Sequence, residues 1–263
     1  MEKPFVCVTL RGRTAEELSK DASRALEMGA DIVEARLDLL WTTEERIRKT
    51  ADSEEVEKDE IEVIVNQLQF EEIDFKGALD FISKSIEAPL LLTCRPHGQG
   101  GHFPGTEEER LGVLKAAISC KPSWIDLEAD IPASNRKDLL DILDEDTKTI
   151  ASLHSVDGTP SSSEIIQEVL DAQELGNMVK ACYNTNNRTD SLRIFEAALE
   201  LKSSEVIFSL MGLGPGGDWT RIHAPMLGQY MAYATTESGW HLAQQGRINA
   251  SDLRVAWKVL EYQ

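Results

Sequence analysis

Short apolar runs alternate with amphipathic helical stretches along most of this chain, and the alternation restricts the folds it can adopt. Eight runs read as buried strands, at residues 5–10, 32–37, 90–95, 124–128, 149–154, 178–182, 206–211 and 229–235. Helical patterns lie between them, at residues 15–28, 107–119, 133–145, 162–175, 191–202 and 251–262. Such regular alternation is typical of parallel strands that are joined by right-handed crossovers.

Eight units in 263 residues predict a (β/α)8 TIM barrel that forms a single domain over residues 1–263. An open Rossmann sheet would normally show a glycine-rich fingerprint after its first strand, whereas Arg11-Gly12-Arg13-Thr14 stands there. Residues 42–86 are the least regular part, with an extra apolar segment at 61–65. We therefore expect an elaborated second βα unit, in which the position of that segment stays open.

Charge and composition exclude several classes of partner. The 27 basic and 46 acidic residues give a net charge of −19, which opposes binding to nucleic acid or to anionic membranes. No apolar run reaches the roughly 18 residues that a bilayer requires, and the N-terminus lacks a signal-peptide core. The four cysteines are widely spaced, as in proteins of a reducing compartment. We expect a cytoplasmic protein with no nucleic-acid or membrane partner.

Polar residues close several of the predicted strands, at the end where barrel active sites form. Period-two alternation puts Glu34, Arg36 and Asp38 on one face of the second strand, where a Glu beside an Arg can bind hydroxyls or a carboxylate. The alternative is a structural ion pair. Arg95 ends the third strand, and the glycine-rich loop 97–105 that follows is a candidate lid.

The fourth strand carries Asp126 and Glu128 on one face, and His154 closes the fifth. Either carboxylate could orient the histidine, although both could instead bond backbone amides. His154 itself could be an acid/base, a metal ligand or a core residue. No second histidine stands at ligand spacing and no Cys/His cluster occurs elsewhere, so we expect no metal. An imidazole titrates near working pH, which suits repeated proton transfer.

Lys180 lies within the sixth apolar run. Burial and neighbouring cations should lower its pKa and favour a neutral amine, which can attack a ketone. The alternative is a lysine that is paired with Glu34 or Asp126. Together with Arg36, Arg95 and Arg221, the histidine and the lysine predict a cationic pocket for a keto acid in an acidic protein.

Dispersed short motifs resemble those of the type I 3-dehydroquinate dehydratase family, in the same order and at similar spacing. They are Glu34-Ala-Arg36-Leu-Asp38, Thr93-Cys-Arg95 with Gln99-Gly100-Gly101, Ser152-Leu-His154, Val179-Lys180, Met211-Gly212 and Thr220-Arg221-Ile222. The resemblance implies a (β/α)8 barrel, no metal or organic cofactor, and syn elimination of water from 3-dehydroquinate in the shikimate pathway of aromatic amino acid biosynthesis. It also implies that Lys180 forms a Schiff base and that His154 is the acid/base.

The same resemblance suggests which residues hold the substrate. Glu34, Arg36 and Arg95 are similar to residues that bind its hydroxyl groups, and Arg221 to the arginine that binds its carboxylate. Thr9 resembles a hydroxyl residue that lines the site. Met211 and Tyr233 match apolar wall positions, and Gln244 matches a fragment of the segment that closes over the substrate.

Two positions depart from the family pattern. Gln99 stands where the family often has a Glu near the histidine. Residues 240–248, Trp-His-Leu-Ala-Gln-Gln-Gly-Arg-Ile, replace the family's Ser-Ala-Pro-Gly-Gln, so the register of Gln244 is ambiguous by one or two residues. The closing segment is where this chain differs most.

Two other functions are compatible with these residues. A Schiff-base aldolase would use the same lysine and barrel, although a phosphorylated substrate would need a phosphate cradle, which residues 212–217 could supply. A metabolite-binding pseudoenzyme would bind the metabolite without turnover.

Members of the family that the chain resembles are commonly monomers or dimers, so a homodimer is compatible with the sequence.

Overall fold

Eight parallel strands with helices between them form a TIM barrel. The computed structural model describes residues 3–49 and 60–262. The strands of the barrel are β1 (Phe5–Thr9), β2 (Ile32–Arg36), β5 (Leu90–Thr93), β6 (Trp124–Glu128), β7 (Lys148–Ser155), β8 (Met178–Asn184), β9 (Phe208–Leu213) and β10 (Met231–Ala234). Their order is β10-β1-β2-β5-β6-β7-β8-β9. A hydrogen bond of 2.9 Å from Tyr230 N to the Phe208 carbonyl brings the two ends of the sheet together.

Nine α-helices and four short 3-10 helices occur in the described residues. The α-helices are α1 (Ala15–Glu27), α2 (Phe75–Ser85), α3 (Glu107–Ser119), α4 (Ala133–Leu140), α5 (Ser162–Ala172), α6 (Arg188–Leu201), α7 (Gly217–Ile222), α8 (His241–Gln244) and α9 (Ala250–Val259). The 3-10 helices are Leu37–Trp41, Phe70–Glu72, His97–Gln99 and Gln173–Leu175. Thr14, Thr106 and Ser161 cap α1, α3 and α5 through their hydroxyl groups.

The alternation of side chains along the strands gives the barrel two apolar regions. In β1, Val6 and Val8 point outward into the layer between strands and helices, while Cys7 points into the barrel. The inner cluster also contains Trp124, Ile150 and Met178. These residues fill the barrel interior, and the polar site forms beside them.

The predicted elaboration after β2 is an antiparallel hairpin of β3 (Thr42–Lys49) and β4 (Glu60–Gln67). The apolar segment 61–65, whose position the sequence leaves open, lies in β4. Trp41 anchors the hairpin's base, because its ring stacks on Phe70 and its indole N–H donates to the Phe70 carbonyl at 2.9 Å. Gln67 donates to the carbonyls of Trp41 and His102, which ties β4 to the glycine-rich loop.

Several predicted boundaries shift for identifiable reasons. β5 ends at Thr93 because the amide of Arg95 donates to the Asp38 carboxylate, at 3.2 Å, instead of to a neighbouring strand. β9 begins only at Phe208, since the amide of Val206 donates to the Ser204 hydroxyl. Helix α4 ends at Leu140, five residues before the predicted end, where an acidic run begins that opposes the helix dipole.

Among residues 3–49 and 60–262, no helix has the length and apolar character needed to cross a bilayer.

Replacing the hairpin's buried anchor should destabilise the fold measurably. Trp41 is 0% exposed, so Trp41→Ala removes a large packed ring and leaves a cavity, and we expect a loss of about 3–5 kcal/mol in the free energy of unfolding. Urea denaturation measures it. Trp240→Ala is the matched control, because Trp240 is 80% exposed and its loss should cost less than about 0.5 kcal/mol. Equal effects of the two substitutions would contradict the anchoring role.

Candidate active site

A cavity of about 540 Å³ opens at the carboxyl ends of the barrel strands. Parallel barrels place their functional residues at this end, because the βα loops that follow the strands surround it. The cavity is lined by all but one of the site residues predicted from the sequence: Thr9, Glu34, Arg36, Arg95, His154, Lys180, Met211, Arg221 and Tyr233.

Lys180 lies on β8, buried and held between two carboxylates. Its Nζ lies 3.2 Å from Glu34 Oε1 and 3.3 Å from Asp126 Oδ2. The same atom lies 4.2 Å from the centre of the Tyr233 ring, whose face attracts a cation. Lys180 is therefore paired with Glu34 and Asp126, which is the alternative that the sequence left open.

This pairing reverses the predicted direction of the lysine pKa. Burial lowers the pKa of Lys180, but the charges of Glu34 and Asp126 outweigh burial and raise the pKa above its usual range. The expectation of a lowered pKa was wrong because it counted the neighbouring cations and not the two carboxylates. Without substrate, the side chain is an ammonium ion.

Glu34 is the partner through which β1, β2 and β5 meet at the lysine. Its carboxylate accepts hydrogen bonds from Thr9 Oγ1 at 2.5 Å and from Thr93 Oγ1 at 2.9 Å. Burial raises the pKa of Glu34, yet the nearby charges of Lys180 and Arg36 bring it below its usual value. Glu34 is therefore ionised, and its hydroxyl donors fix its orientation.

Arg95 joins the carboxylates of β6 in a buried network. Its guanidinium donates to Asp126 Oδ2 and to Glu128 Oε1, both at 2.8 Å, and also to Ser152 Oγ. Arg110 of α3 donates to the other oxygen of Glu128 at 2.5 Å. Each charge of this network thus has an opposite partner, which offsets the cost of burying it.

Arg36 forms an ion pair with Asp38, two residues along the chain, rather than with Glu34. Its Nε and Nη2 donate to the two oxygens of Asp38, each at 2.7 Å, in a bidentate pair. Asp38 also accepts from the amides of Arg95 and His102. The pair thereby holds the beginning and the end of the glycine-rich loop next to the cavity.

The same loop packs tightly at Gly101. A Cβ at this position would lie 2.0 Å from the Arg95 carbonyl oxygen, so only glycine fits there. Gln99 and Gly100 of the loop line the cavity. The side-chain Nε2 of Gln99 donates to the Asp130 carboxylate at 2.8 Å.

His154 lies near the end of β7 and is neutral. Burial lowers the pKa of its imidazole well below the usual range, and the charges of Arg95 and Lys180 act in the same direction. Asp126 is occupied by Arg95, Ser152 and Lys180, and Glu128 by two arginines. Neither carboxylate hydrogen-bonds the imidazole, so of the roles that the sequence left open, direct orientation of His154 is not the one observed: both carboxylates bind cationic side chains.

Arg221 reaches the cavity from α7 with no ion-pair partner among the described residues. Its guanidinium donates to the backbone carbonyls of Tyr233, Gly212 and Gly217, at 3.0, 2.7 and 2.8 Å. Burial lowers the pKa of this guanidinium to about 10, so it stays charged at neutral pH. A buried cation that is held only by carbonyl oxygens is well suited to bind an anion.

Polar atoms without partners gather at this cavity. Among the described buried side chains, His154 Nδ1, Tyr233 Oη and Gln99 Oε1 have no hydrogen-bond partner, and all three residues line the cavity. Buried polar atoms normally have partners. A ligand with several hydroxyl or carbonyl groups would supply them, and Tyr233 is consequently more than the apolar wall that the sequence predicts.

Gln244 is the one predicted site residue that does not line the cavity. It is exposed on α8, while Arg247 and Ile248 of the same segment line the cavity instead. Arg11, Arg13 and Arg247 also line the cavity, although no sequence motif marks them as site residues. Arg247 follows Gly246 in the segment that departs from the family, and that departure was the available signal.

No group of three or more His, Cys, Asp or Glu side chains in residues 3–49 and 60–262 is arranged to hold a metal ion. The cavity instead combines a buried amine, a neutral imidazole and fixed cations. Such a set can bind a hydroxylated carboxylic acid and can move protons at a carbon next to its carbonyl group.

Removing one carboxylate should lower the pKa of the Lys180 ammonium. In Glu34→Gln, one of the two charges that favour the ammonium is lost while burial stays, and Asp126→Asn should act in the same direction. An NMR titration of lysine labelled at the ε-carbon measures the pKa. Glu168→Gln is the control, because this carboxylate bonds Tyr183 and not the lysine. An unchanged or raised pKa in both site variants would contradict the charge assignment.

Comparison with known proteins agrees with this geometry. A family model described as type I 3-dehydroquinase matches residues 6–263. The 3-dehydroquinate dehydratase of Desulfotalea psychrophila is 29% identical over 256 residues, 97% of each protein. That of Methanocaldococcus jannaschii is 26% identical over 260 residues, 98% of this chain and 99% of the relative.

Solved structures show the same fold. A crystal structure of type I 3-dehydroquinate dehydratase from Clostridium difficile, with covalently modified comenic acid, has a TM-score of 0.78. It is 20% identical, and the match covers 98% of this chain and 92% of that one. With the match of the family model over nearly the whole sequence, these similarities lead to one conclusion: the chain belongs to the type I 3-dehydroquinase family.

Proposed function

We propose that this protein is a lyase that dehydrates 3-dehydroquinate to 3-dehydroshikimate through an imine on Lys180. The observation that carries the proposal is that a protonated lysine and a neutral histidine line the same cavity. Lys180 is an ammonium between two carboxylates, and His154 is neutral with an unpartnered Nδ1. Imine formation requires the neutral amine, and a neutral imidazole in the same cavity can accept the proton that the ammonium must lose.

Substrate binding divides between the two sides of the cavity. The substrate carboxylate binds Arg221, the buried guanidinium without an acidic partner in the described residues. Its hydroxyl groups bind near Glu34, Arg36 and Arg95, whose carboxylate and guanidinium groups accept and donate hydrogen bonds. This arrangement directs the ketone toward Lys180, while Met211 and Tyr233 exclude water from the site of the imine.

Imine formation begins when His154 takes a proton from the Lys180 ammonium. The neutral amine attacks the ketone carbon to give a carbinolamine. His154 then returns its proton to the carbinolamine hydroxyl group, which leaves as water, so the protonated imine forms and His154 is again neutral. Glu34 and Asp126 then stabilise the positive charge of the iminium, because they already stabilise the charge of the ammonium.

The iminium acidifies the adjacent carbon by accepting its electron pair. His154 removes the proton from this carbon, and the electron pair moves toward the iminium nitrogen. It then returns to form the carbon–carbon double bond as the hydroxyl group leaves with a proton from His154. Hydrolysis of the product imine consumes one water and restores Lys180, so the net reaction releases one water.

The backbone hydrogen bonds of residues 212–217 argue against an aldolase for phosphorylated substrates. Such an enzyme would need free backbone N–H groups near the last strands. The amide of Gly212 donates to the Thr220 hydroxyl, that of Gly214 to the Gln245 carbonyl and that of Gly217 to the Gly214 carbonyl. These N–H groups are already used within the protein.

A small-molecule substrate is thus the proposed partner. A homodimer and a cytoplasmic location stay predictions from the sequence.

Borohydride reduction with 3-dehydroquinate, followed by peptide mass mapping, tests the proposal. We expect one reduced adduct at Lys180, and none in Lys180→Met, which keeps an unbranched side chain only one atom shorter but lacks the amine. His154→Ala should form the adduct slowly and lose at least about 100-fold in kcat, the range usual for a lost acid/base group. Formation of the enone product is followed by its ultraviolet absorbance.

Lys84→Met is the matched control, because Lys84 is exposed on α2 and forms an i,i+4 ion pair with Asp80. It should keep normal adduct formation and turnover. An adduct at another lysine, or turnover by Lys180→Met at the normal rate, would contradict the mechanism. An adduct without product would support a metabolite-binding pseudoenzyme.

A further inference from the structure

The arginines around the cavity differ in how fully their charges are neutralised. Six arginines line it: Arg11, Arg13, Arg36, Arg95, Arg221 and Arg247. Arg36 pairs with Asp38, Arg95 with Asp126 and Glu128, and Arg13 with Glu44. On the remaining side, Arg11 and Arg247 share the single carboxylate of Glu237, and Arg221 has no acidic partner in the described chain. This side carries excess positive charge in a protein of net charge −19.

Arg247 lies close enough to Arg221 for the two charges to interact. The positive charge of Arg247 adds to burial in lowering the pKa of Arg221. Two cations near each other repel, and an anion bound between them relieves this repulsion. The pair therefore offers a binding position for a carboxylate that neither arginine offers alone.

The backbone holds Arg247 in this position. A Cβ at Gly246 would lie 2.5 Å from the Gly214 carbonyl oxygen, so glycine allows the segment to pack directly on the loop before α7, which carries Arg221. Gly214 N donates to the Gln245 carbonyl at 3.0 Å, and Thr235 N donates to the Ile248 carbonyl at 3.0 Å. The segment is thus fixed on both sides of Arg247.

The contacts of the Arg247 side chain allow exchange with a ligand. Its Nη2 donates to Thr235 Oγ1 at 3.0 Å and pairs with Glu237 at 2.5 Å, and its Nη1 reaches Gln245 Oε1 at 3.2 Å. The Glu237 side chain is about one-third exposed, so its ion pairs are only partly desolvated and cost little to break. A substrate carboxylate can replace Glu237 as a partner.

We propose that Arg247 binds the substrate carboxylate together with Arg221, and that Glu237 competes with the substrate for Arg247. Gln244 then has no substrate contact, and the segment binds through a fixed arginine. This inference rests on the proposed function, because it takes a hydroxylated cyclic carboxylic acid as the ligand.

Calorimetric titration with quinate tests the proposal without imine chemistry. Quinate has the carboxylate and hydroxyl groups of 3-dehydroquinate but an alcohol in place of the ketone. At fixed salt, Arg247→Gln should raise the Kd for quinate about tenfold or more, because it removes a charge-assisted hydrogen bond. It should also reduce the preference for quinate over its carboxamide. In turnover assays, KM for 3-dehydroquinate should rise while kcat changes less than about twofold.

Glu237→Gln separates a binding role from a structural one. If Glu237 competes with the ligand, this variant frees Arg247 and should lower the Kd for quinate severalfold. If the Arg247–Glu237 pair only holds the segment in place, both variants break the same pair and should weaken binding alike. Opposite effects support the proposal, and equal effects or an unchanged Kd in Arg247→Gln overturn it.

Arg254→Gln is the matched control. The Arg254 side chain is 31% exposed, against 27% for that of Arg247. Arg254 forms an ion pair with Asp31, which lies just before β2 and therefore at the end of the barrel opposite the cavity. Its loss should leave the Kd for quinate unchanged. Failure of the wild-type protein to bind quinate contradicts the carboxylate site, whereas quinate binding without a trapped Lys180 adduct contradicts only the imine mechanism.

Discussion

The pairing of Lys180 with Glu34 and Asp126 is the interaction on which the rest of the site depends. It extends through Asp126 to Arg95, through Arg95 to Glu128 and from there to Arg110. Buried ion pairs of this kind seldom add stability over well-packed apolar residues, because desolvation offsets their attraction. The barrel interior thus keeps a charged network whose value is chemical: it fixes an amine, excludes water and prepares a site for a developing positive charge.

The two sides of the cavity have different electrostatic tasks. Around Lys180 the carboxylates stabilise the ammonium, and in the proposed mechanism they also stabilise the iminium. Near α7 the excess of arginine charge attracts an anion, although the whole chain repels one. In the proposed mechanism, this polarity orients a substrate that carries a ketone and a carboxylate. The Gly246 contact links the fold to the site, since it allows the segment that carries Arg247 to pack on the loop before α7, the helix that carries Arg221.

The sequence predicts the barrel and most of the site because both depend on local patterns. Period-two alternation identifies the strands, and the rule that barrel sites form at strand ends selects Glu34, Arg95 and His154. Partner choice is not local: Glu34 lies 146 residues from Lys180 along the chain, so the sign of the lysine pKa shift required the tertiary structure. The hairpin position and the register of Arg247 likewise depend on contacts between distant segments.

A crystal structure of the protein after borohydride reduction with 3-dehydroquinate tests the proposed imine mechanism most directly. We predict a covalent bond from Lys180 Nζ to the former ketone carbon, with Glu34 and Asp126 still beside that nitrogen. It also predicts the ligand carboxylate at Arg221. A ligand that lies in the cavity without a bond to Lys180, or with its carboxylate on the side of Glu34, would contradict it.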